Sequence, residues 1–419
     1  MIIQEHEQLK QLDGTPIEFN QRYNNLNLVK WDKPKTDNQW GYYASFKIGA
    51  EWIDDHDALV VTTKRKMENI DFLGMFMTCF LSDLAIDSFS KIYSISSDAP
   101  TIDAPSLKGA ISPLIVIHFL SVVSRIKTLK KGYVHHSDNL RKVKGRIRVL
   151  KNERTNIVLK RYDRIYCDFD EYSVDIPENR ILKKALLFSK RLLSGMKSHY
   201  SYPIIQQKLA KSLAMFENVS GDVEIRDIKF IKSHKLFRDY AEAIRLAKQV
   251  LGYFDYSISK VTNTDNHVVP FVLDMSLLYE HYVYGLLYEA YQNNIIYQHK
   301  GETGYPDFLY CSDGFKAILD TKYIPKYEEE SLDTYVIRQL SGYSRDIPIL
   351  KRLGFDDINE NTPTPSVPCI IIYPKKSTTN EENPFMGKLL SELCTNRDNQ
   401  VANISQFYKI SVPIPIIKK

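Results

Sequence analysis

The sequence predicts an α+β protein of several domains, and three observations carry that reading. Strand-like segments cluster in the first 95 residues, and amphipathic helices dominate residues 107–265. Residues 266–419 alternate helix and strand around Ile370-Ile371-Ile372, an apolar run typical of a strand buried on both faces. A chain of 419 residues is long enough for two or three such units with their own cores. The expected division is an N-terminal α+β domain at 1–95, a mainly helical middle region at 107–265 and a C-terminal α/β domain at 266–419 with a mixed central sheet.

Within the first region, residues 40–48 and 51–62 have strand character, and 69–89 reads as an amphipathic helix with Met75, Phe76, Cys79, Phe80 and Leu84 facing inward. Lys64, Arg65 and Lys66 form a basic cluster between strand and helix. Such a cluster is either a solvated turn or a contact for a partner or phosphate. Residues 96–106 carry two Asp-Ala-Pro triplets and read as a linker.

In the middle region residues 113–130 form a core helix around the longest apolar run, which contains His118 and is too short to span a bilayer. Residues 136–172 are rich in Arg and Lys. Lys144, Arg146 and Arg148 alternate along one strand face, and Gly145 between them marks a close backbone approach. They are the best candidates for a phosphate-binding stripe, with a solvated strand face as the plain alternative. The turn at 174–180 then feeds a helix at 181–194, with acids at its start as the macrodipole favours. Two more helices follow at 203–216 and 236–251.

The C-terminal region opens on an apolar and aromatic helix at 273–292 with Glu280 in its middle. A strand at 295–299, a hairpin, the acidic loop Glu328-Glu329-Glu330, a helix at 332–345 and strands at 367–373 and 406–412 complete it.

Composition narrows the function classes. A net charge of +5 is mild for this length, so any DNA-binding surface is local. Five scattered cysteines with no CxxC pair argue against zinc ribbons and a disulfide framework, and fit a reducing cytoplasm. There is no HExxH, and no GxxxxGK[ST], so no nucleotide is expected on this chain through a P-loop. The N-terminus lacks a signal peptide pattern, and no membrane association is expected.

The chemistry concentrates in the hairpin. Asp313-Gly314 is a strong turn signal between a short strand beginning at Asp307 and a return strand ending near Lys322. Alternation puts Asp320 and Lys322 on one face and Thr321 on the other, while the fold-back brings Asp307 towards them. Two carboxylates and an ammonium at one point suit magnesium, which polarises a phosphate and acidifies a bound water; the lysine can orient or deprotonate that water. A plain surface hairpin with an ion pair would carry the same residues. An acid-x-Lys triplet is a weak signal by itself, since Asp227-Ile228-Lys229 repeats it without the preceding Pro-Asp strand and turn.

Pro306-Asp307 followed by Asp320-Thr321-Lys322 resembles the PD-(D/E)XK nuclease site. Gln339 and Tyr343, one helical turn apart, resemble the helix that follows the site in the RecB-like branch, where it positions the lysine or the DNA strand. In the same superfamily the helix before the first strand often lends an acid to the metal, which would be Glu280. A longer ordered set of motifs resembles the McrC family, the nuclease subunits of McrBC modification-dependent (5-methylcytosine) restriction systems. These are Asn139-Leu140, Lys144-Gly145-Arg146, Tyr166-Cys167-Asp168-Phe169-Asp170-Glu171, Asp175-Ile176-Pro177-Glu178-Asn179-Arg180, Asp274-Met275 and Leu278-Tyr279-Glu280, then the hairpin residues, Gln339 and Tyr343.

That resemblance implies a Mg2+-dependent endodeoxyribonuclease, with Mn2+ as an alternative metal, that cuts double-stranded methylated DNA only in complex with a hexameric AAA+ GTPase of the McrB type. Asp307, Asp320 and Glu280 would serve the metal, Lys322 the attacking water, and Gln339 and Tyr343 the geometry. The N-terminal half would act as a stalk that reaches into the GTPase ring and stimulates it, with Lys64, Arg65 and Lys66 as a candidate contact. Ile324 departs from the family, which often carries a further lysine there; the departure bears on a phosphate contact and not on the metal site. Two other readings stay open: a non-catalytic adaptor that activates the GTPase, and a stand-alone RecB-like nuclease. The presence of Asp307, Asp320 and Lys322 together favours the enzyme.

Overall fold

Short apolar segments far apart in sequence build the first sheet. The computed structural model describes residues 1–11, 13–34, 38–64, 67, 69–79, 91–96, 99–107, 112–194, 202–222, 238–255, 267–329, 331–376 and 382–416. These form two compact units, one made of 1–118 with 260–419, the other of 119–259. The early strands are β1 (Ile2–Gln4), β2 (Val29–Asp32), β3 (Gly41–Ala44), β4 (Lys47–Trp52), β5 (Ala58–Thr62), β6 (Tyr93–Ile95) and β7 (Ile102–Asp103). Unit two contributes β8 (Gly132–Leu140), β9 (Arg146–Ile147) and β10 (Ile165–Ser173). The remainder are β11 (His267–Val268), β12 (Phe271–Asp274), β13 (Ile295–Tyr297), β14 (Phe308–Ser312), β15 (Phe315–Thr321), β16 (Cys369–Lys376) and β17 (Phe407–Ile414).

The first sheet runs β1-β5-β4-β12-β6, with β1 parallel to β5 and the other pairs antiparallel. The division expected from sequence differs here, because β12 from the C-terminal region lies between β4 and β6. The reason is local. Leu273 was expected to begin the helix at 273–292, but a short apolar run such as Phe271-Val272-Leu273 fits strand and helix alike. Asp274 settles the boundary by capping the helix Met275–Tyr291, accepting from Ser276 N at 3.0 Å and Leu277 N at 3.1 Å. That helix is apolar on all sides and is buried along most of its length. Gly285 lets it approach the helix Phe72–Cys79, since a Cβ there would stand 2.1 Å from the Thr78 carbonyl oxygen. Met75, Phe76 and Cys79 are buried as expected, whereas Phe80 and Leu84 lie outside the described residues. On the helix Ser112–Ser124, His118 is a satisfied core histidine bonded to the Tyr93 hydroxyl at 2.7 Å.

The second sheet of this unit is mixed, in the order β13-β14-β15-β16-β17. β13, β14 and β15 are antiparallel, while β15, β16 and β17 are parallel. The helices Thr334–Tyr343 and Ile347–Arg352 cover one face, burying Val336, Leu340 and Leu350 with Leu309, Ile318 and Ile371.

In the other unit β10 pairs along its whole length with β8 and, at two residues, with β9. Gly145, at φ 68°, sits where a Cβ would come within 2.4 Å of the Asp168 carbonyl oxygen, the close approach expected from its place in the sequence. Beyond β9 the backbone forms a π-helical turn, Glu153–Ile157, held by the fully buried Asn156, which exchanges hydrogen bonds with Asn139 at 2.8 Å each way. The Asp-Ile-Pro-Glu-Asn-Arg string is a junction. Arg180 makes a two-pronged pair with Asp175, and Asn179 donates to the Val174 and Lys130 carbonyls as the helix Pro177–Ser194 begins. Among the described residues no helix is long and apolar enough to cross a membrane.

Candidate active site

The two-residue turn at Asp313-Gly314 sets the hairpin register, with Ser312 opposite Phe315 and Phe308 opposite Leu319. The next rung brings Asp307 level with Asp320. Asp320 lies inside the sheet opposite Ile371 of β16 and is 1% exposed. Lys322 follows the strand, donates its N–H to the Ile372 carbonyl at 2.9 Å and turns its ammonium onto Asp320 Oδ2. The hairpin therefore brings together the two carboxylates and the lysine that alternation and fold-back anticipate.

Thr321 departs from expectation. Instead of pointing away from the site, it donates to Asp307 Oδ2 through its N–H at 2.6 Å and its hydroxyl at 2.5 Å. Glu280 joins from the helix Met275–Tyr291. It is 8% exposed, and its Oε1 accepts from the Tyr297 hydroxyl at 3.0 Å and the Gln298 amide at 2.8 Å. Thr321, Tyr297 and Gln298 are the residues that sequence reasoning missed. The signal for Gln298 was the edge strand: its N–H pairs with the Asp307 carbonyl at 2.9 Å, one step beyond the β13–β14 ladder. Gln339 donates to the Tyr343 hydroxyl at 2.8 Å, which donates to the Tyr305 carbonyl at 3.2 Å. The two helix residues thus brace the segment entering β14, and Tyr343 stands near enough to Lys322 to act on its charge.

Burial dominates the electrostatics. It pushes the Glu280 and Asp320 carboxyls each up to about 7, with the nearby Asp307 charge adding to both. Burial also raises Asp307, against the pull of Lys322 and the Thr321 hydrogen bonds. For Lys322 burial acts downward, but the Asp320 and Asp307 charges outweigh it and raise the ammonium above its ordinary range.

The donor set fits a hard cation. Hydrogen bonds fall on one oxygen only of Asp307, Asp320 and Glu280, which leaves the second oxygen of each without a protein donor among the described residues. Among those residues no three His, Cys, Asp or Glu side chains converge closely enough to hold a metal ion by themselves. Magnesium is commonly held in this way, by one or two carboxylates with water and substrate phosphate completing the shell.

The other expected positions fall elsewhere. The strand in the basic segment is only Arg146–Ile147, so Lys144 precedes it and Arg148 follows it. Lys144 pairs with Glu171 at 3.4 Å and Arg148 with Asp168 at 2.8 Å, so the expected stripe is a set of partly neutralised surface cations. Lys64 is corrected as a partner contact: its ammonium turns inward and donates to the Tyr323 carbonyl at 2.9 Å. A buried carboxylate, Glu5, makes that inward position tenable. Arg65, Lys66 and the Asp227-Ile228-Lys229 triplet lie outside the described residues.

Comparison with known proteins identifies a family. Residues 98–343, more than half of the chain, match the family model described as McrBC 5-methylcytosine restriction system component. No curated protein matches. The chain is similar to one from a refined half-complex of a tetradecameric assembly of Thermococcus gammatolerans McrB AAA+ hexamers with bound McrC, at 13% identity and TM-score 0.34, covering 99% of this chain and 94% of that one. It is also similar to a chain of the cryo-EM structure of the Thermococcus gammatolerans McrBC complex, at 12% identity and TM-score 0.32, covering 68% of this chain and 86% of that one. By the extent of the family match, the chain belongs to the McrBC 5-methylcytosine restriction system component family.

Proposed function

We propose that this chain is the nuclease subunit of its restriction system, a Mg2+-dependent endodeoxyribonuclease of PD-(D/E)XK type. In this reading it cuts double-stranded methylated DNA in the cytoplasm, in complex with a hexameric McrB-type AAA+ GTPase that it binds and stimulates. The observation that carries the proposal is the meeting of Asp307, Asp320 and Lys322 at the end of one hairpin, with Glu280 behind them.

Asp307 and Asp320 would hold magnesium with Glu280 in support; bound there, it would polarise the scissile phosphate and acidify a water. The reaction is hydrolysis: the water oxygen bonds to phosphorus, one P–O ester bond breaks, and the leaving oxygen takes up a proton. The raised Lys322 keeps its proton at neutral pH, which supports a cationic role over that of a base. As an ammonium it orients the water and offsets charge growing on the phosphate oxygens. Asp320 aims that ammonium, and Thr321 aims Asp307. Tyr343, braced by Gln339, fixes the Tyr305 carbonyl and with it the approach of Pro306-Asp307.

The proposed GTPase contact lies on the unit formed by 119–259. Val149, Leu150, Val158, Leu159 and Tyr162 all face solvent beside the β8–β10 sheet, and Leu150 is 74% exposed. An apolar patch of this kind marks a protein-binding surface. Family membership and the missing P-loop support a partner that supplies GTP hydrolysis in trans.

The test measures Mg2+-dependent cleavage of methylated DNA and GTP turnover by the chain with its GTPase, comparing wild type with Asp320→Ala. Loss of cleavage with intact GTP stimulation is expected. Cleavage that survives Asp320→Ala refutes the assigned site, and stimulation without any metal-dependent cutting by wild type makes the chain an activator only.

A further inference from the structure

Lys64 has no place in the chemistry above, yet it reaches the strand that carries it. Its ammonium donates to the Tyr323 carbonyl at 2.9 Å and stands 4.2 Å from the centre of the Tyr323 ring and 4.9 Å from that of Phe46. Tyr323 is the residue immediately after Lys322 and is 3% exposed. The Lys64 N–H donates to Glu5 Oε2 at 3.1 Å, and Glu5, only 4% exposed, is anchored at the end of β5 through its own N–H on the Thr62 carbonyl at 3.0 Å. Lys64 and Glu5 come from the first sheet of this unit, while Tyr323 extends the second.

The hydrogen bonding along the catalytic strand shows what this contact does. β15 ends at Thr321, and the Lys322 N–H makes its bond to the Ile372 carbonyl. At the next step the chain turns, with the Ile324 N–H on the Lys322 carbonyl at 2.7 Å. Past that point the Tyr323 carbonyl is held by Lys64. We propose that Lys64, supported by Glu5, is a positioning residue for the nuclease site: it pins the end of the Asp320-Thr321-Lys322 strand and so fixes where the Lys322 ammonium stands. This inference rests on the nuclease reading above.

Physical chemistry favours a directed role over simple packing. An ammonium drawn partly out of water loses hydration that only well-placed partners restore, and an apolar side chain would fill the same space without that cost. Here burial does depress the Lys64 amine, to about 8, with Glu5 pulling it back up, and burial lifts the Glu5 carboxyl to about 7 against the opposing pull of Lys64. The pair is retained in an unfavourable place, and the Lys64 ammonium gives its hydrogen bond to the residue beside Lys322.

The test uses the full chain with its GTPase partner. Three variants are compared with wild type: Lys64→Met, the double variant Glu5→Gln/Lys64→Met, which removes the buried charge left by the single change, and the conservative Lys64→Arg. The readouts are kcat and KM for methylated DNA at saturating Mg2+, GTP turnover, and amide hydrogen exchange over residues 318–324. By analogy with residues that support metal-site ligands, kcat should fall roughly 10- to 100-fold in both Met variants. KM and GTP turnover should stay unchanged, exchange over 318–324 should quicken, and Lys64→Arg should recover most of the rate. Unchanged kcat in Lys64→Met overturns the proposal. So does a loss in the double variant matched by an equal loss of GTP stimulation, which would show general damage. Absence of metal-dependent cutting by wild type instead removes the nuclease reading beneath it.

Discussion

Thr321→Val tests whether Asp307 is a metal-holding carboxylate kept in place by its neighbour. In the structure two donors of Thr321, the N–H at 2.6 Å and the hydroxyl at 2.5 Å, converge on Asp307 Oδ2. Valine keeps the branched shape that suits β15 and the backbone donor, and removes the hydroxyl alone. A hydrogen bond to an ionised acceptor contributes about 1.5–3 kcal/mol. Its loss leaves the carboxylate less well oriented and drives its pKa further up, because the hydroxyl is one of the influences holding it down. A loss near the middle of that range, about 2 kcal/mol, corresponds to a roughly 30-fold weaker hold on the cation. The assay is the rate of methylated-DNA cleavage by the assembled complex across a Mg2+ titration. The half-saturating Mg2+ concentration should rise by that factor while the rate at saturation returns close to wild type. An unchanged midpoint, or a rate that stays low at saturating Mg2+ in a folded protein, refutes the reasoning.

Two further outcomes are expected. Burial lowers the His281 imidazole from 6.5 to about 4, so as pH falls the unfolded chain takes up its proton first. The stability due to neutral His281 is complete above pH 6.5 and is lost as pH falls through about 4, amounting to about 3 kcal/mol. The buried carboxyls of Glu280, Asp320 and Glu5, raised to about 7, titrate over the same window with the opposite sign, so the readout is the difference between two proteins. In EDTA the melting temperature of wild type should fall relative to that of His281→Gln from pH 6.5 to about 4, and parallel curves would remove His281 as the cause. On the other unit, Leu150→Asp changes a side chain that is 74% exposed, so its effect on folding should stay within about 0.5 kcal/mol. GTP stimulation should nevertheless be lost, and full stimulation by this variant would exclude the patch as the partner contact.

How much of this was legible depended on the range of the interactions involved. The hairpin could be read because its determinants are adjacent: Asp313-Gly314 fixes the turn, the turn fixes the register, and the register brings Asp307 to Asp320. Ile370 to Ile372 announced a strand buried on both faces, and all three are fully buried in β16, between β15 and β17. Thr321 was misplaced because period-two alternation describes side chains on a regular ladder, whereas Asp307 precedes the ladder and its carboxylate reaches back to the Thr321 amide. β12 escaped because its apolar residues also suit the helix that follows. Lys64 was read as a surface residue because lysine is seldom drawn inward, and its inward turn depends on Glu5, which lies 59 positions earlier in the chain. The apolar surface around Leu150 was hidden for the opposite reason, since sequence alone assigns such residues to a core.

These long-range contacts explain why the Asp320-Thr321-Lys322-Tyr323 tetrapeptide bears so much of the site. Asp320 and Lys322 face each other as neighbours on one side of an extended chain. The two residues between and after them act as backing: Thr321 orders Asp307, and Tyr323 gives its carbonyl to Lys64 and its ring to the packing against Tyr279, 5.9 Å between centroids. A shift of one residue in the β14–β15 register would exchange the two sets, burying Thr321 and Tyr323 where the carboxylates and ammonium belong. Two restraints oppose that slip at opposite ends of β15, the Asp313-Gly314 turn at one and the grip of the first sheet on Tyr323 at the other. The turn can set the register without help from the first sheet. The position of Lys322, one residue past the last ladder pair, cannot be set by the turn alone, and this is where a contact from outside the second sheet has the most to contribute.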